Sequence, residues 1–275
     1  MTPATLAPVP TLVLSPRFTD DSIALWRAAL AAGWRTHRLA RLGDADSLAS
    51  QLAGADELAF YGETVGADLV ARALDLALLE PSHDWLPALP DVHRRRAVAL
   101  RTLAEARALA GPVFVKPVDD KWFPAKVYGA PATEIDPQIG GDLAVLVAEP
   151  VRFGLEVRAF VRGREVTTVS AYVRDGQLAR AGDGTWPLTE AEEAAARACL
   201  ERVLADPDVA LPPALVIDVG EIEGRGWAVV EANPAFASGL CGADPAAALQ
   251  VLRACCVPVS KVSPDQARWI RPRLV

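Results

Sequence analysis

Short apolar runs alternate with amphipathic stretches over the first 90 residues of the chain. A helical pattern follows the acidic pair Asp20 and Asp21 and continues to Leu30, and a second amphipathic helix is predicted over Val65–Leu79. Strands that alternate with helices are typical of a small α/β layer with a parallel sheet. A proline-rich stretch over residues 81–90 then predicts a domain boundary. The runs that predict strands in this layer are Leu12–Leu14, Arg35–Leu39 and Glu57–Tyr61.

The pattern changes at Gly111. Before it, Asp91–Ala110 is predicted to be one helix, whose arginines favour a solvated face over a phosphate site. After it, strand-like runs dominate, interrupted by predicted helices at Thr189–Leu204, which opens with a Thr-x-x-Glu capping box, and at Pro245–Cys255. The predicted strands are Val113–Pro117, Lys126–Tyr128, Leu143–Ala148, Glu156–Val161, Val166–Tyr172, Leu215–Ile222 and Trp227–Asn233.

The last two predicted strands are expected to form a hairpin. Gly224-Arg225 suits a two-residue loop with glycine first, and in that register Asp218 pairs with Glu231. Asn233 then lies two residues further along on the same face. Like charges that face each other across strands are destabilising, and carboxylate and carboxamide oxygens are the ligands of a hard cation. The pattern therefore predicts that Asp218, Glu231 and Asn233 hold Mg²⁺.

Composition places the chain among ordinary globular proteins. Its 275 residues are 51% hydrophobic and 23% charged, which excludes a disordered chain and allows about two domains. No apolar run approaches the ~18 residues of a membrane span, and no signal peptide is recognisable, so we expect a cytoplasmic protein without a membrane partner. The net charge of −7 argues against duplex nucleic acid as a partner, whereas a homodimer is compatible with the sequence.

Lysine is scarce and unevenly distributed. Of the 28 basic residues only Lys116, Lys121, Lys126 and Lys261 are lysines, and three of these fall within residues 116–126. A lysine ammonium is a compact point charge suited to phosphate, and two such charges repel unless an anion lies between them. The cluster predicts a polyphosphate site, with chance clustering on a solvated loop as the alternative.

A further candidate follows the predicted strand that ends at Ala148. Glu149-Pro150-Val151 leaves backbone groups unpaired beyond the proline, and such a segment can pair with the edge of a purine. Glu156 is placed to accept hydrogen bonds from ribose hydroxyls. Arg158 shares a strand face with Glu156, and the alternative for these two residues is an ordinary Glu–Arg pair.

In chain order these clusters are Lys…Lys, Glu-Pro-Val, Glu-x-Arg, Asp and Glu-x-Asn-Pro. This order resembles the ATP-grasp superfamily, and most closely the small ATP-grasp proteins of the clade named for one arginine and two lysines. The resemblance covers residues 111–245 and implies an α+β fold, with a core of two α+β subdomains preceded by a small α/β Rossmann-like layer. The implied domains are 1–90 (pre-ATP-grasp), 91–257 (ATP-grasp, with subdomains 111–150 and 151–257) and a tail over 258–275.

The resemblance also implies roles for individual residues. Lys116 and Lys121 would contact the ATP phosphates, with Lys126 as a rival for the second role. Arg158 would face the γ-phosphate or the reaction intermediate, so Arg158 and Lys121 are the implied catalytic residues. Around Lys121 the chain departs from the family, because Pro124-Ala125 stands where a glycine is expected. The other implied contacts are the adenine hinge at Glu149, Pro150, Val151 and Arg152, the ribose contact at Glu156, and two Mg²⁺ ions at Asp218, Glu231 and Asn233.

The implied function is an ATP- and Mg²⁺-dependent carboxylate–amine or carboxylate–thiol ligase. A small-molecule or peptide carboxylate would attack the γ-phosphate, and an amine would then displace phosphate from the acyl phosphate. Such chemistry needs positioning and charge neutralisation more than a protein nucleophile. The alternatives are an ATP-grasp kinase, a nucleic-acid end ligase and a non-catalytic nucleotide-binding module. A site in the N-terminal layer is disfavoured because that layer has no GxGxxG motif.

Overall fold

A computed structural model describes residues 9–52, 55, 57–118 and 122–272. The candidate Lys121 lies outside these described residues. Their strands form a three-stranded, a four-stranded, a five-stranded and a two-stranded sheet. The mixture of a parallel sheet with antiparallel sheets and packed helices is an α+β architecture, as predicted.

The N-terminal layer is built on the predicted parallel sheet. Strand β1 (Thr11–Leu14) lies in the middle and pairs with β2 (Arg35–Arg38) and β3 (Leu58–Tyr61). Every residue of β1 is buried, as expected for a strand covered on both faces. Helix α1 (Asp20–Ala31) begins at Thr19, whose side chain caps the first turn. The layer continues with α2 (Leu48–Gln51) and α3 (Thr64–Ala73).

The predicted helix over Val65–Leu79 is wrong in its second half. Helix α3 ends at Ala73, Asp75 adopts a left-handed conformation with φ of 49°, and strand β4 (Leu76–Leu78) follows. A short apolar run of this kind fits a buried strand as well as a helix, and periodicity alone does not separate them. Tertiary pairing decides the outcome here, because β4 pairs with a strand near the C-terminus.

The single helix predicted over Asp91–Ala110 is also wrong. After α4 (Trp85–Ala88) and α5 (Asp91–Arg94), the left-handed Arg95 ends the helix, and β5 (Val98–Thr102) and α6 (Leu103–Arg107) follow. Strand β5 forms because its backbone pairs with a later strand, which overrides local propensity. The segment therefore belongs to a sheet and does not form a solvated basic helix.

A four-stranded antiparallel sheet has the order β5-β8-β6-β7. It confirms the three strands predicted between residues 113 and 148. Its other strand, β5, lies before residue 111, the position at which the smaller subdomain was expected to begin. The remaining elements of this region are β6 (Val113–Pro117), β7 (Lys126–Tyr128), α7 (Pro131–Glu134) and β8 (Ala144–Ala148).

A five-stranded antiparallel sheet has the order β11-β10-β9-β12-β13 and carries the candidates Glu156, Arg158, Asp218, Glu231 and Asn233. The capping box predicted at Thr189 and Glu192 is present at the start of its long helix. A second helix contacts α1 and β3 of the N-terminal layer as well as strands of this sheet. The elements are β9 (Phe153–Arg162), β10 (Glu165–Arg174), β11 (Gln177–Leu178), α8 (Glu190–Ala205), β12 (Ala214–Ile222), β13 (Gly226–Asn233) and α9 (Pro245–Cys255).

The β12–β13 hairpin has the predicted Asp218–Glu231 pair, but its loop and register differ from the prediction. Ile222 pairs with Gly226, so the loop has three residues, Glu223 to Arg225, and the predicted two-residue loop is wrong. A β-bulge at Val230 then shifts the register by one residue, and beyond it Asp218 pairs with Glu231 as predicted. The extra loop residue and the bulge compensate each other, because side chains alternate between the two faces of a strand.

The C-terminal segment packs on the N-terminal layer. Strand β14 (Cys256–Pro258) pairs with β4, and after α10 (Pro264–Ala267) residue Ile270 forms a bridge with Leu79. Residues 256–271 of the predicted C-terminal region are therefore held against strand β4 and Leu79. Across the described part of the chain, no helix combines the length and apolarity that crossing a bilayer requires.

Candidate functional site

A cavity of about 1040 Å³ lies where the N-terminal layer, the β5–β8 sheet and the five-stranded sheet meet. Three of its lining side chains are candidates from the sequence: Lys116 from the end of β6, Arg158 from β9 and Glu231 from β13. Asn233 follows Glu231 on the same strand and also lines the cavity. The other lining residues include Thr64, Glu80, Ser82, His83, Trp122, Phe123, Tyr172, Ser238 and Arg271.

A smaller cavity of about 150 Å³ shares Lys116 and Glu231 with the large one. Most of its walls are apolar, which suits a flat aromatic ring. Of the predicted adenine hinge, Glu149 and Val151 border this cavity. Arg152 points elsewhere, with an exposed side chain whose Nη2 lies 3.6 Å from Asp175 Oδ1. The apolar lining residues are Leu86, Val98, Phe114, Leu146, Ala148, Val151, Phe153 and Val230.

Arg158 and Asp218 form a buried ion pair. The pairing of β9 with β12 sets them opposite each other, and Arg158 Nε and Nη2 donate to the two Asp218 oxygens at 2.9 and 2.8 Å. Burial raises the pKa of Asp218 to about 6, although the arginine opposes the shift. Burial lowers the pKa of Arg158, but Asp218 outweighs it and raises that pKa above its usual value. Both groups remain charged as a pair at neutral pH.

Two further contacts fix the Arg158 guanidinium. Its Cζ lies 3.9 Å from the centre of the Tyr172 ring, a cation–π distance, and its Nη1 donates to the Gly239 carbonyl at 3.2 Å. Sequence reasoning missed Tyr172. Tyr172 is one of three tyrosines in the chain, and it lies on β10, the strand that follows the Arg158 strand. A rare aromatic residue next to that strand was the signal that could have identified it.

Glu231 connects the lysine to the asparagine. Lys116 Nζ donates to Glu231 Oε2, and Asn233 Nδ2 donates to Glu231 Oε1 at 2.9 Å and to Asp218 Oδ2 at 3.3 Å. Burial raises the pKa of Glu231, but the charge and hydrogen bond of Lys116 outweigh it and hold that pKa at about 2. Lys116, Glu231, Asn233 and Asp218 thus form one continuous polar chain, in which the last three lie together as the hairpin register predicted.

Of the three predicted Mg²⁺ ligands, Glu231 and Asn233 suit the ion, whereas Asp218 is already engaged by Arg158. No group of three or more Asp, Glu, His or Cys side chains with metal-binding geometry occurs among the described residues. Mg²⁺ is usually held by one or two carboxylates together with substrate phosphates, and Glu231 with Asn233 at the cavity wall meets that need. Asp218 is fully buried, and both its oxygens are bound to Arg158. In this structure Asp218 therefore acts as the counter-ion of Arg158.

Glu156 and Arg96 border the small cavity on its polar side. Burial, with repulsion from Asp218 and Glu231, raises the pKa of Glu156 to about 7, so this carboxyl is partly protonated near neutrality. Arg96 donates to the carbonyls of Val229 and Val230 at 2.7 and 2.8 Å and holds the bulged strand. Sequence reasoning missed Arg96 because nothing in the run of three arginines distinguishes it from its neighbours.

Two other candidates are engaged in pairs outside the large cavity. Lys126 Nζ lies 3.7 Å from Glu134 Oε2 and 4.7 Å from the centre of the Tyr128 ring. Lys126 pairs with Val115, the chain neighbour of Lys116, but it is not among the residues that line either cavity. Glu149 accepts a hydrogen bond from Arg225 at 2.5 Å, which contributes most to lowering its pKa.

The loop that departs from the family pattern borders the large cavity. Trp122 is 58% exposed there, whereas Phe123 is buried and meets the Tyr128 ring edge-on with 6.1 Å between centres. The Pro124 carbonyl accepts a hydrogen bond from the Tyr128 hydroxyl at 2.7 Å. The segment that replaces the expected glycine is therefore anchored to β7, with Trp122 at the cavity surface.

Comparisons with known proteins agree with this architecture. The family model of an ATP-grasp domain, family 2 of the clade named for one arginine and two lysines, matches residues 93–251, more than half of the chain. A RimK domain ATP-grasp protein from Sphaerobacter thermophilus is similar in structure, with a TM-score of 0.52, 18% identity, and coverage of 88% of this chain and 98% of that one. A search of curated protein sequences gave no significant match.

Two further solved structures are similar at low identity. D-alanine–D-alanine ligase from Bacillus anthracis has a TM-score of 0.55 and 9% identity, and the match covers 90% of this chain and 97% of that one. N5-carboxyaminoimidazole synthetase from Staphylococcus aureus has a TM-score of 0.54 and 11% identity, covering 91% and 78%. These similarities show the shared fold, and the family match adds the clade. The chain belongs to the ATP-grasp superfamily, in family 2 of its one-arginine, two-lysine clade.

Proposed function

We propose that this protein is an ATP- and Mg²⁺-dependent ligase that joins a carboxylate to an amine, through an acyl phosphate, and releases ADP and phosphate. The observation that carries the proposal is the convergence of Lys116, Arg158, Glu231 and Asn233 on one cavity of about 1040 Å³. Ligand sites commonly measure ~300–1,000 Å³, so this cavity lies at the upper end of that range. The adenine is proposed to occupy the smaller cavity, which leaves the large one for the phosphates and the substrates.

The small cavity is the proposed adenine site. Its walls are mostly apolar, and backbone groups around Glu149 and Val151, which border it, are proposed to pair with the edge of the purine. Glu156 borders the same cavity and is proposed to contact the ribose. With a pKa of about 7 it can donate or accept a hydrogen bond there.

Lys116 lies at the junction of the two cavities and is the proposed phosphate contact. In the structure its charge is paired with Glu231, which keeps the ammonium at the cavity wall. Arg158 is proposed to stabilise charge on the transferring phosphoryl group and on the intermediate. Lys121 remains the predicted second phosphate lysine, outside the described residues. Glu231 and Asn233, with Asp218 behind them, would hold Mg²⁺, which when bound neutralises phosphate charge.

The reaction proceeds in two displacements. An oxygen of the carboxylate substrate attacks the γ-phosphorus, the bond to the β-phosphate oxygen breaks, and ADP leaves. The amine nitrogen then attacks the acyl carbon, loses a proton, and phosphate departs. No protein nucleophile is required, because positioning and electrostatic stabilisation supply most of the catalysis of phosphoryl transfer.

Product analysis tests this proposal. The purified protein, incubated with MgATP and pools of carboxylates and amines, should release ADP and phosphate in equal amounts. Hydroxylamine in place of the amine should trap the acyl phosphate as a hydroxamate. AMP with pyrophosphate would refute the mechanism. ADP with a stable phosphorylated product and no free phosphate would identify a kinase instead.

Replacing Lys116 by alanine should weaken ATP binding by about 10- to 150-fold, which corresponds to the ~1.5–3 kcal/mol of a charge-assisted contact. Equilibrium binding of a non-hydrolysable ATP analogue measures the effect. Lys261→Ala removes an exposed lysine far along the chain and should leave the affinity unchanged. Lys126→Ala should have a smaller effect than Lys116→Ala. Equal affinities for the Lys116 variant and the parent protein would remove this lysine from the phosphate site.

A further inference from the structure

The loop over residues 238–241 follows the Glu-x-Asn-Pro motif and borders the large cavity beside Arg158. The Gly239 carbonyl accepts a hydrogen bond from Arg158 Nη1 at 3.2 Å, and Cys241 Sγ lies 4.0 Å from the same nitrogen. Asp218 binds the other two guanidinium nitrogens. The loop therefore completes the set of contacts that orients the guanidinium.

The Gly239–Leu240 peptide group connects Arg158 to a carboxylate of the N-terminal layer. The oxygen of this peptide accepts from Arg158, and its N–H, on the Leu240 nitrogen, donates to Asp21 Oδ2 at 2.9 Å. The peptide is trans and planar, so its oxygen and its hydrogen point in opposite directions. A shift of the N–H therefore shifts the carbonyl as well. A carboxylate on the N–H also polarises the peptide, which makes the carbonyl a stronger acceptor.

Asp21 has a different role from its neighbour Asp20. The first turn of α1 is capped by Thr19, and Asp20 is exposed and pairs with Arg180 at 3.0 Å. Asp21 is half-buried, and its Oδ2 also lies 3.5 Å from the Tyr61 hydroxyl. It lines neither cavity, and it precedes the part of the chain that matches the family. Asp21 therefore acts on the site through the loop and does not touch a ligand in either cavity.

The contact between Asp21 and the loop is close and shielded from solvent. Leu240 is 2% exposed, so loss of the Asp21 oxygen would leave its N–H buried without this acceptor. A Cβ at Gly239 would lie 3.2 Å from Asp21 Oδ2 and 3.9 Å from Arg158 Nη1. On the far side, the Leu240 carbonyl accepts a hydrogen bond from Ser170 Oγ at 3.1 Å. The loop is thus held between the N-terminal layer and the five-stranded sheet.

We infer that Asp21 is a positioning residue for Arg158: it holds the Gly239–Leu240 peptide so that the carbonyl fixes Nη1 at the cavity wall. The inference rests on the proposed ligase function and deepens it, since Arg158 is the proposed catalytic arginine. Without the Asp21 oxygen, the peptide would turn toward another acceptor and carry its carbonyl away from Arg158. Misplacement by about 1 Å costs an enzyme roughly 10²-fold in rate.

Turnover and nucleotide binding of single variants test this role. Asp21→Ala should lower ADP release at saturating MgATP, with the carboxylate and amine pools, by about 10-fold or more, the lower end expected for a charge-assisted hydrogen bond. Its affinity for a non-hydrolysable ATP analogue should stay close to that of the parent protein, because Asp21 lines neither cavity. Asp20→Ala removes the neighbouring carboxylate from the same helix turn and should leave both values unchanged.

Asp21→Asn separates the hydrogen bond from the charge. It keeps an oxygen that accepts from the Leu240 nitrogen, so it should recover most of the turnover lost in Asp21→Ala. A role confined to stability would instead lower the Tm of Asp21→Ala and leave the turnover of the folded protein unchanged. If Asp21→Ala does not fold, Asp21→Ser takes its place, because a serine side chain is one bond shorter than that of aspartate.

The Arg158 Nε–H signal reports the contact without any substrate. In proton–nitrogen NMR spectra it is assigned as the arginine side-chain signal that is absent from Arg158→Lys. In Asp21→Ala this signal should shift, and the Leu240 amide should exchange its hydrogen faster. In Asp20→Ala both should match the parent protein.

Three results would overturn the inference: parental turnover in Asp21→Ala, equal losses in Asp21→Ala and Asp21→Asn, or an Arg158 signal that does not respond to Asp21→Ala. A parent protein that releases no ADP with any of the pools would count against the ligase function. The NMR comparison would then still decide whether Asp21 holds Arg158.

Discussion

Glu231→Ala should lower ATP turnover by roughly 10²- to 10³-fold, the range found when one preorganised electrostatic contact is removed from a transition state. Glu231 bonds Lys116 and Asn233 and forms, with Asn233, the accessible part of the proposed Mg²⁺ site. Its removal releases the lysine and deletes the carboxylate at the centre of the polar chain. Release of ADP over time measures the effect.

The fold should survive this change, because the Glu231 side chain is 23% exposed and Lys116 can turn toward solvent. Glu221→Ala is the matched control: Glu221 lies on the partner strand of the same hairpin, is exposed, and lines neither cavity. It should retain the activity of the parent protein. Unchanged turnover in Glu231→Ala, with a folded protein, would remove the metal site and most of the argument for catalysis.

Asp218→Ala should destabilise the protein by about 3–5 kcal/mol, because removing one partner of a buried ion pair leaves an uncompensated charge. Asp218 is fully buried and Arg158 nearly so, and the two share two hydrogen bonds. For a chain of this size the change corresponds to a fall of about 6–20 °C in Tm. Thermal unfolding followed by circular dichroism measures it.

A double variant shows whether the loss comes from the orphaned charge. Asp218→Leu combined with Arg158→Met replaces the pair by apolar side chains and should recover much of the lost stability, since such replacements are often neutral or stabilising. It should not recover turnover, because Arg158 is the proposed catalytic arginine. A double variant as unstable as the single one, or a single variant with an unchanged Tm, would refute this account of the pair.

Much of the fold could be predicted because its signals are local. The capping box at Thr189 fixes the start of α8, and short apolar runs mark the strands of the sheets. The errors fall where a short segment takes its structure from a distant partner. Leu76–Leu78 becomes a strand because β14 pairs with it, and Val98–Thr102 becomes one because β8 does. Single-sequence periodicity contains no information about such partners.

Some residues of the candidate site could likewise be predicted from local signals, whereas others depend on distant partners. Asp218, Glu231 and Asn233 could be placed together, because hairpin geometry sets Asp218 opposite Glu231 and Asn233 lies two residues further along the same strand. Lys116 was connected to them only by the family resemblance. Arg96 and Arg271 could not, since their positions depend on carbonyls and carboxylates more than a hundred residues away in sequence. The pairing of Arg158 with Asp218 required the order of β9 and β12 in the sheet, which the sequence pattern leaves open.

The bulge at Val230 has an evolutionary consequence. It separates the hairpin tip from the end of the hairpin that bears Asp218 and Glu231. Without the bulge, this three-residue loop would set Asp218 opposite Val230 and turn Glu231 and Asn233 to the other face of the strand. A mutation that removes the bulge therefore has to be matched by a change of loop length if the three side chains are to share one face.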